Sequence, residues 1–225
     1  NGSNMISHKV KGVNINDKHI ENCADYINKK STSLFSIYGN SPIIKELVKK
    51  INKSYTQIYD YYVMKLEKKN YSPLIRELKG FKCEKGSVDH YSKLKELQYA
   101  YHIEEVYENT NSYPYFAEMK LFKRTLKNSV SYAVFTNDDR EVPVSKSNIN
   151  GESPNYFQLG GIYTRKKYRK LGLSQLCLTH LIDYIFSETN KKNIILYVKK
   201  NNYPAIKLYE KFGFRILFDS TYVYY

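Results

Sequence analysis

The sequence predicts an α/β (α+β) fold in which a mixed central sheet is flanked by helices. Short runs rich in apolar, β-branched and aromatic residues, such as 57–66 and 194–198, have the composition of strands. Other segments, such as 174–187, place apolar residues three or four positions apart, which is the spacing of one helix face. Strands and helices alternate and include a strand–helix–strand stretch, which is typical of a sheet that carries helices.

Residues 1–80 are predicted to form a smaller N-terminal α/β lobe. Its elements, in chain order, are strand 9–15, helix 17–29, strand 33–38, a helix beginning at Ser41-Pro42, and strand 57–66. Asp17 and Ser41 are the expected N-caps, because short polar side chains can accept hydrogen bonds from first-turn amides. The Asn-Tyr-Ser-Pro stretch at 70–73 is a break before the next domain.

Residues 81–225 are predicted to form the second domain. Its elements are strand 81–84, a long helix after Ser87, helix 115–127, strands 130–135 and 142–147, loop 148–155, strand 156–164, helix 174–187, strand 194–198, helix 203–211 and strand 214–224. This order contains a strand–helix–strand–helix–strand run from residue 156 to the end. The second domain therefore carries most of the central sheet.

The chain of 225 residues has a net charge of +14, which favours an anionic partner. The charge is uneven: segments 1–80 and 165–225 carry +7 and +8, whereas 81–164 carries −1. A protein that coats a nucleic acid backbone more often spreads its basic residues or groups them in tails. The pattern instead indicates a local anion site in the last quarter of the chain.

The composition and the residue spacing argue against several classes of protein. Three separated cysteines without a CxxC pair argue against a disulfide scaffold or a zinc ribbon, and five histidines without ligand spacing predict no metal. No apolar run approaches the ~20 residues of a membrane span, and no signal peptide is recognised at the printed start. We therefore expect a cytoplasmic protein without a membrane partner, and leave open whether the chain is a fragment.

The most informative segment is the basic stretch between Thr164 and Ser174, Thr-Arg-Lys-Lys-Tyr-Arg-Lys-Leu-Gly-Leu-Ser. A predicted strand ends at Thr164, and a helix is predicted from Ser174, which can also cap it. Amides at a helix start point outward and attract anions, and Gly172 lets a phosphate approach closely. The segment predicts a pyrophosphate site, although a solvated basic turn before a capped helix is an equal alternative on this loop alone. It matches neither GxGxxG nor GxxxxGK[ST].

A second segment follows the next strand, at 198–214. Asn202 can cap a helix there and Pro204 suits its first turn. Ala205 and Tyr209 share one helix face, and Gly213 occupies the position at which a helix often ends in a left-handed residue.

Together the two segments resemble the GNAT superfamily of acyl-CoA N-acyltransferases. Arg169-Lys-Leu-Gly-Leu-Ser174 is similar to the family's [Q/R]xxGx[G/A] acetyl-CoA loop, with Ser174 where Gly or Ala is usual. Asn202-x-x-Ala-x-x-Leu-Tyr-x-x-x-Gly-Phe214 is similar to its second hallmark. The resemblance covers roughly 81–225, and the lobe 1–80 more faintly resembles the degenerate GNAT-like half of two-lobed bacterial members.

The resemblance implies acetyl-CoA as co-substrate and no metal. It assigns cofactor contacts to the strand, to the loop and to the second segment, namely Ile162, Tyr163, Thr164, Arg169, Lys170, Leu171, Gly172, Leu173, Ser174 and Asn202. The strand residues would pair with the pantetheine arm, the amides of 170–174 would hold the pyrophosphate, and Asn202 would contact the cofactor from the other side.

The resemblance also implies direct attack of an acceptor amine on the thioester. Tyr209 matches the family's general acid, and packing on the sheet is its alternative role. The general base is not identified, because strand 156–164 carries no carboxylate. Glu104 and Glu105 are candidates, Glu118 is a third, and water is an alternative.

The expected acceptor is a small-molecule or peptide amine, and a homodimer is a further partner that the prediction allows. The alternatives are a non-catalytic acyl-CoA-binding regulator and, with less support, a basic nucleic-acid-binding module.

Overall fold

The computed structural model describes residues 3–7, 15–30, 34–107 and 113–225, and side chains are described from residue 15 onward. The predicted strand 9–15 lies outside these residues except for Ile15, which is not in a strand.

The described elements follow the predicted order closely. The strands are β1 Ser3–Ser7, β2 Leu34–Asn40, β3 Gln57–Glu67, β4 Phe81–Lys85, β5 Ser131–Thr136, β6 Pro143–Glu152, β7 Tyr156–Thr164, β8 Asn193–Lys199 and β9 Arg215–Tyr224. The helices are α1 Asp17–Lys30, α2 Ser41–Lys50, α3 Tyr91–Tyr101, α4 Tyr115–Asn128, α5 Leu173–Glu188 and α6 Tyr203–Lys211. Residues His102–Val106 continue α3 as a π-helical turn.

The chain forms two compact units from segments that are not contiguous. Unit 1 comprises residues 1–64, 197–207 and 215–225, and unit 2 comprises 65–196 and 208–214. The predicted sequence-continuous boundary at residue 80 stays a prediction, as does the ancestry of the N-terminal lobe.

Unit 2 is built on a mixed sheet, as predicted. Strands β4, β5, β6 and β7 pair antiparallel in that order, and β8 pairs parallel with β7. Side chains alternate across β5: Ala133 and Phe135 pack with α3 and α4, whereas Val134 packs with α5. Helices therefore cover both faces of this sheet, which confirms the predicted fold class.

Unit 1 includes three strands that pair with one another. Strand β2 pairs parallel with β1 and antiparallel with β9. The buried side chains of α1 and α2, among them Ile27, Ile44 and Leu47, form one apolar cluster with Ile37 and Val223 of the strands. The last strand of the sequence thus completes the core of the first segment.

Local capping predictions were correct in some places and wrong by one or two residues in others. Asn202 caps α6 as predicted, since its Oδ1 accepts from the Ala205 N–H at 3.2 Å. Asp17 and Ser41 are instead the first residues of their helices. Asn16 accepts from the His19 N–H at 3.1 Å, and the Ser41 hydroxyl contacts the Thr221 hydroxyl at 2.6 Å.

Strand β6 is longer than predicted, because it continues to Glu152 through residues expected in a loop. Its outer part pairs with β7 as far as Glu152↔Phe157. Asn and Gly favour turns in an isolated segment, and here pairing with a neighbouring strand overrides that preference.

Gly213 ends α6 in a left-handed conformation with φ +93°. An added Cβ would lie 2.3 Å from the Asn70 carbonyl oxygen, a backbone atom that cannot rotate away. Gly80 has a similar φ of +85° but nothing within 4 Å of the same position. A side chain at Gly80 would introduce backbone strain alone, whereas a side chain at Gly213 would introduce both strain and a steric clash.

We expect Gly213→Ala to destabilise the protein by about 3 kcal/mol or more, because both strain and collision apply. Gly80→Ala is the matched control and should cost about 1–2 kcal/mol from strain alone. Urea unfolding of both variants measures the difference, and equal losses would contradict the proposed role of the Asn70 contact.

Candidate active site around β7 and the basic loop

The loop between β7 and α5 combines two left-handed residues with a helix start. Lys170 has φ +66° and Gly172 has φ +81°. Gly172 is the N-cap of α5, so Ser174 lies inside the first turn and does not cap the helix as predicted. Left-handed residues beside a helix start can turn neighbouring amides toward an anion, and the first-turn amides of a helix have no partner within the helix. The backbone here is suited to an oxyanion such as a pyrophosphate.

The arginines of this loop are anchored by their own chain. Arg169 donates from Nε to the Thr164 carbonyl at 3.0 Å and forms an ion pair with Glu104. Arg165 donates to the Pro143 carbonyl at 3.0 Å. The side chains of Lys166, Lys167 and Lys170 are exposed, as is that of Arg169. The arginines thus shape the loop, while the exposed lysines supply positive potential at its surface.

Strand β7 changes partners along its length. Its pairing with β8 extends from Tyr156 to Leu159, and its pairing with β6 continues to Thr164. Beyond Leu159, among the described residues, β7 pairs on the β6 side alone. Residues 160–164, which include the predicted Ile162, Tyr163 and Thr164, therefore offer one backbone edge to which an extended ligand chain can pair.

A bulge interrupts the same part of β7. Lys146 pairs with Tyr163 and Asn148 with Gly160, so two β7 residues face one residue of β6. Gly161 within this bulge has φ +57°, and an added Cβ would lie 2.1 Å from Asn148 Oδ1. A left-handed glycine and a close side chain both require glycine here. The bulge is a fixed feature of the strand.

A cavity of about 220 Å³ lies beside the bulge, between the sheet and helices α3 and α4. Its polar lining among the described residues is Gln98, His102, Glu118, Thr125, Asn148 and Asn150, and its apolar lining includes Tyr101 and Phe122. Gly161 also lines it. Each water in the liquid takes about 30 Å³, so the cavity has the volume of several waters. A group of amino acid size fits this space.

The polar residues of this cavity are joined by hydrogen bonds. His102 contacts the Gln98 amide nitrogen at 2.8 Å and the Tyr113 hydroxyl at 2.8 Å, and Glu118 lies 3.6 Å from its Nδ1. Burial lowers the pKa of His102 and thus favours its neutral form, although Glu118 opposes this change. Gln98 Oε1 is buried and has no hydrogen-bond partner among the described residues. A donor from a ligand would satisfy it.

Lys146 is the most unusual side chain near the cavity. It is 3 % exposed, and its Nζ donates to the Gly161 carbonyl at 2.7 Å. The amine lies 4.5 Å from the centre of the Tyr101 ring and 5.8 Å from that of Phe122. Among the described residues, no carboxylate forms an ion pair with it. Burial lowers the pKa of this amine to about 7, so a large fraction is uncharged at neutral pH.

The predicted acid, Tyr209, is buried near the end of α6, and its ring centre lies 5.9 Å from that of Phe214. Burial raises the pKa of its hydroxyl, and Tyr101 and Glu105 raise it further. The hydroxyl therefore stays protonated at physiological pH and can donate. The electrostatic coupling also indicates that Tyr209, Tyr101 and Glu105 occupy one neighbourhood of unit 2.

The three carboxylates considered as bases occupy different surroundings. Glu104 accepts from the Tyr163 hydroxyl at 2.9 Å and pairs with Arg169, so it joins β7 to the loop. Glu105 lies close enough to Tyr209 to raise its pKa. Glu118 lines the cavity and accepts from the Tyr107 hydroxyl at 2.6 Å. The choice among them stays a prediction.

Sequence reasoning did not single out Lys146, Gln98, His102 or Asn148. The available signal was weak: a lysine and an asparagine alternate with serines inside a segment that is buried throughout from Pro143 to Ile149. A charged residue at an inward position of a buried strand is uncommon, which marks it for attention. Their proximity to Gly161 comes from tertiary pairing and is not encoded locally.

Comparison with known proteins agrees with this geometry. The family model described as the acetyltransferase (GNAT) family matches residues 91–214, more than half of the chain. The chain belongs to the GNAT family. The matched residues include the bulged strand, the basic loop and Tyr209.

Similar GNAT and related proteins come from several sources. The chain is 38 % identical over 58 residues to a probable N-acetyltransferase, san, of Drosophila melanogaster, and this alignment covers 26 % of the chain and about a third (31 %) of that relative. A solved Drosophila structure has a TM-score of 0.60 at 12 % identity, covering 85 % of this chain and 61 % of its own. A tandem GNAT protein from clavulanic acid biosynthesis has a TM-score of 0.60 at 11 % identity, covering 92 % and 68 %. These structural likenesses concern the fold.

None of the described helices is both long and apolar enough to cross a membrane. Within the same residues, no three potential metal ligands of the His, Cys, Asp and Glu types form a group.

We expect Lys146→Met to change how stability depends on pH. The pKa of this amine is about 7 in the folded chain and about 10.4 in an unfolded chain. Between these values the unfolded state binds more protons, so wild-type stability gains up to about 1.4 kcal/mol per pH unit from this group as pH rises. The variant lacks this contribution.

Urea unfolding of both proteins from pH 6 to pH 10 measures the difference. The stability of the variant relative to wild type should be highest at pH 6–7 and should decline toward pH 10. A difference that does not vary with pH would contradict a depressed pKa for Lys146.

Proposed function

We propose that this GNAT protein transfers an acetyl group from acetyl-CoA to a primary amine by direct attack. The observation that supports the proposal is the loop from Arg169 to Ser174, where left-handed Lys170 and Gly172 stand directly before the first turn of α5. The pyrophosphate of coenzyme A is the matching anion. Ile162, Tyr163 and Thr164 would pair with the pantetheine arm along the open edge of β7.

The remaining cofactor contacts follow the same assignment. Leu171 and Leu173 would contribute backbone amides beside those of Lys170 and Ser174, and Asn202 would contact the cofactor in addition to capping α6. Leu173 is buried and fixes the first turn of α5 in the core, whereas Leu171 is exposed. The leucines therefore act through their backbone.

The acceptor amine would occupy the cavity beside Gly161. Its nitrogen forms the amide bond to the acetyl carbon as the carbon–sulfur bond breaks. The proton lost by the amine goes to a base, for which Glu104, Glu105, Glu118 and water are the candidates. Tyr209 would give its proton to the leaving thiolate of coenzyme A.

The cavity supports a small acceptor or a single residue at the end of a peptide. Among the described residues, Glu118 is the carboxylate that lines it, and burial favours the neutral form of His102. Gln98 Oε1 also offers an unused acceptor. These groups favour an amine that arrives with its proton and is deprotonated in the site.

Two measurements test the proposed function. Titration calorimetry with acetyl-CoA tests cofactor binding, and absence of binding would overturn the proposal. A panel of n-butylamine, spermidine, tyramine, lysine and a peptide with a free α-amine, read by release of free thiol, tests turnover. Binding without thiol release from any of these amines would favour the acyl-CoA-binding regulator. Salt-sensitive binding to arbitrary DNA without acetyl-CoA binding would favour the nucleic-acid module.

We expect Gly172→Glu to abolish acetyl-CoA binding. Gly172 has φ +81°, and an added Cβ would lie 3.1 Å from Ile75 Cδ1. The substitution strains the loop and adds a negative charge where the pyrophosphate would bind. Gly80→Glu is the control, since it adds the same charge at a left-handed glycine in open space. Calorimetry of both variants decides, and retained affinity in Gly172→Glu would show that the loop is not the site.

We expect Tyr209→Phe to lower kcat by about 100-fold or more while leaving acetyl-CoA affinity within about twofold, because the variant loses only the proton donor. Tyr26→Phe is a matched control at an exposed position on α1. Steady-state kinetics with the fastest amine of the panel provides kcat. An unchanged kcat would leave Tyr209 with a packing role.

A further inference from the structure

The bulge of β7 is held by a buried amine. Lys146 Nζ donates to the carbonyl of Gly161, the left-handed residue of the bulge, at 2.7 Å. The rings of Tyr101 and Phe122 lie at 4.5 Å and 5.8 Å from the same nitrogen. The amine is thus enclosed by one carbonyl and two aromatic rings, all three belonging to residues that line the cavity.

Packing alone does not account for a lysine at this position. The side chain is 3 % exposed and has no anionic partner among the described residues. Burying an amine without a counter-ion is unfavourable, and an unbranched apolar side chain such as Met would fill similar space at lower cost. Violations of this kind in a buried strand are expected where function requires them.

The peptide geometry indicates what the amine controls. The Gly161 carbonyl and the Ile162 N–H belong to one planar trans peptide, so they point in opposite directions. A donor that fixes the carbonyl therefore also fixes the N–H. It polarises the peptide too, and a polarised peptide is a stronger donor at its N–H.

We propose that Lys146 is a positioning residue for acyl transfer, which holds the Gly161 carbonyl and thereby directs the Ile162 N–H at the thioester oxygen as it gains negative charge. This inference rests on the proposed function, which places the thioester along residues 160–164 of β7. Preorganised backbone donors of this type lower the barrier of acyl transfer because they need no rearrangement during the reaction.

Other titratable groups bear on Lys146 and must be separated from it. His102 on the α3 side and Cys177 on α5 are electrostatically coupled to it, and the Tyr101 hydroxyl belongs to a ring that contacts it. Burial raises the pKa of Tyr101 to about 12, so this hydroxyl does not titrate near neutral pH. His102→Gln distinguishes a histidine titration from that of Lys146.

The kinetic test compares Lys146→Met with Lys146→Gln, which retains a shorter N–H donor. Lys85→Met makes the same chemical change at an exposed position of β4. Acetyl-CoA and the fastest amine of the panel serve as substrates. For Lys146→Met we expect kcat to fall about 100-fold, with KM for the amine and the calorimetric affinity for acetyl-CoA within about threefold of wild type and Tm not lowered. Lys146→Gln should recover part of kcat, and Lys85→Met should match wild type.

Two results for Lys146→Met would overturn the inference. One is an unchanged kcat in Lys146→Met, which would show that the amine does not matter to the reaction. The other is loss of acetyl-CoA affinity together with a lowered Tm, which would assign Lys146 a structural role. If wild type binds acetyl-CoA but turns over no amine, the proposed function fails instead, and the kinetic comparison does not apply.

A measurement on the unmodified protein tests the inference without substrate. Lys146 side-chain and Ile162 amide chemical shifts are followed by NMR from pH 5 to pH 9, in wild type and in His102→Gln. We expect the Ile162 amide nitrogen to shift with the midpoint of Lys146 in both proteins. An Ile162 signal that does not follow the Lys146 midpoint would disprove the coupling between the amine and this peptide.

Discussion

The left-handed turn of β7 at Gly161 is the constraint around which the site is arranged. An added Cβ at Gly160 would lie 2.0 Å from Asn150 Nδ2, and one at Gly161 would lie 2.1 Å from Asn148 Oδ1. Side chains of β6 thus occupy the space that any other residue would need. The bulge takes two residues of β7 out of strict pairing, and the Lys146 amine secures the carbonyl that is released. A substitution at Gly161 would strain the left-handed backbone and also meet Asn148, whereas a substitution at Gly160 would meet the exposed Asn150 side chain.

Charge near this strand is used in two different ways. The arginines at 165 and 169 bond to backbone carbonyls, and Arg169 also pairs with Glu104, so these interactions stabilise the conformation of the loop. The exposed lysines that remain supply long-range potential. A net charge of +14 for the chain is therefore a poor guide to the ligand. The left-handed backbone at Lys170 and Gly172 is more specific, since it sets where and how closely an anion can approach.

Much of the fold was predictable because its signals are local. Asn202, Pro204 and Gly213 define the ends of α6 within twelve residues, and each adopts the role that its chemistry favours. Caps at Ser41 and Ser174 were misplaced, because a cap is defined by the backbone conformation at one residue and several neighbouring side chains qualify by type. The outer half of β6 was missed, since its strand conformation comes from pairing with β7.

Some residues of the candidate site belong to local motifs, whereas others come together only in the folded chain. The loop from Arg169 to Ser174 and the position of Tyr209 were predicted from contiguous motifs. The cavity could not be predicted, because α3, α4, β6 and β7 contribute its residues from positions more than sixty residues apart. Gln98 and His102 are four residues apart on one helix, so their contact is local, whereas the hydrogen bond between Lys146 and Gly161 exists only after β6 and β7 have paired.

The two faces of the unit 2 sheet differ in a way that bears on where chemistry occurs. On the α5 side, Val134, Val144 and Leu176 form an apolar cluster, and the buried polar Ser147 there is small and contacts Cys177. On the α3 and α4 side, buried Lys146, Asn148, Gln98 and His102 share the interior with aromatic rings. Both faces could be filled by apolar side chains at lower cost in desolvation. Apolar packing on the α5 face therefore stabilises the fold. On the other face, burial of the polar groups that surround the cavity and the left-handed turn lowers the stability of the fold. This difference supports the proposal that the acceptor binds on the α3 and α4 side.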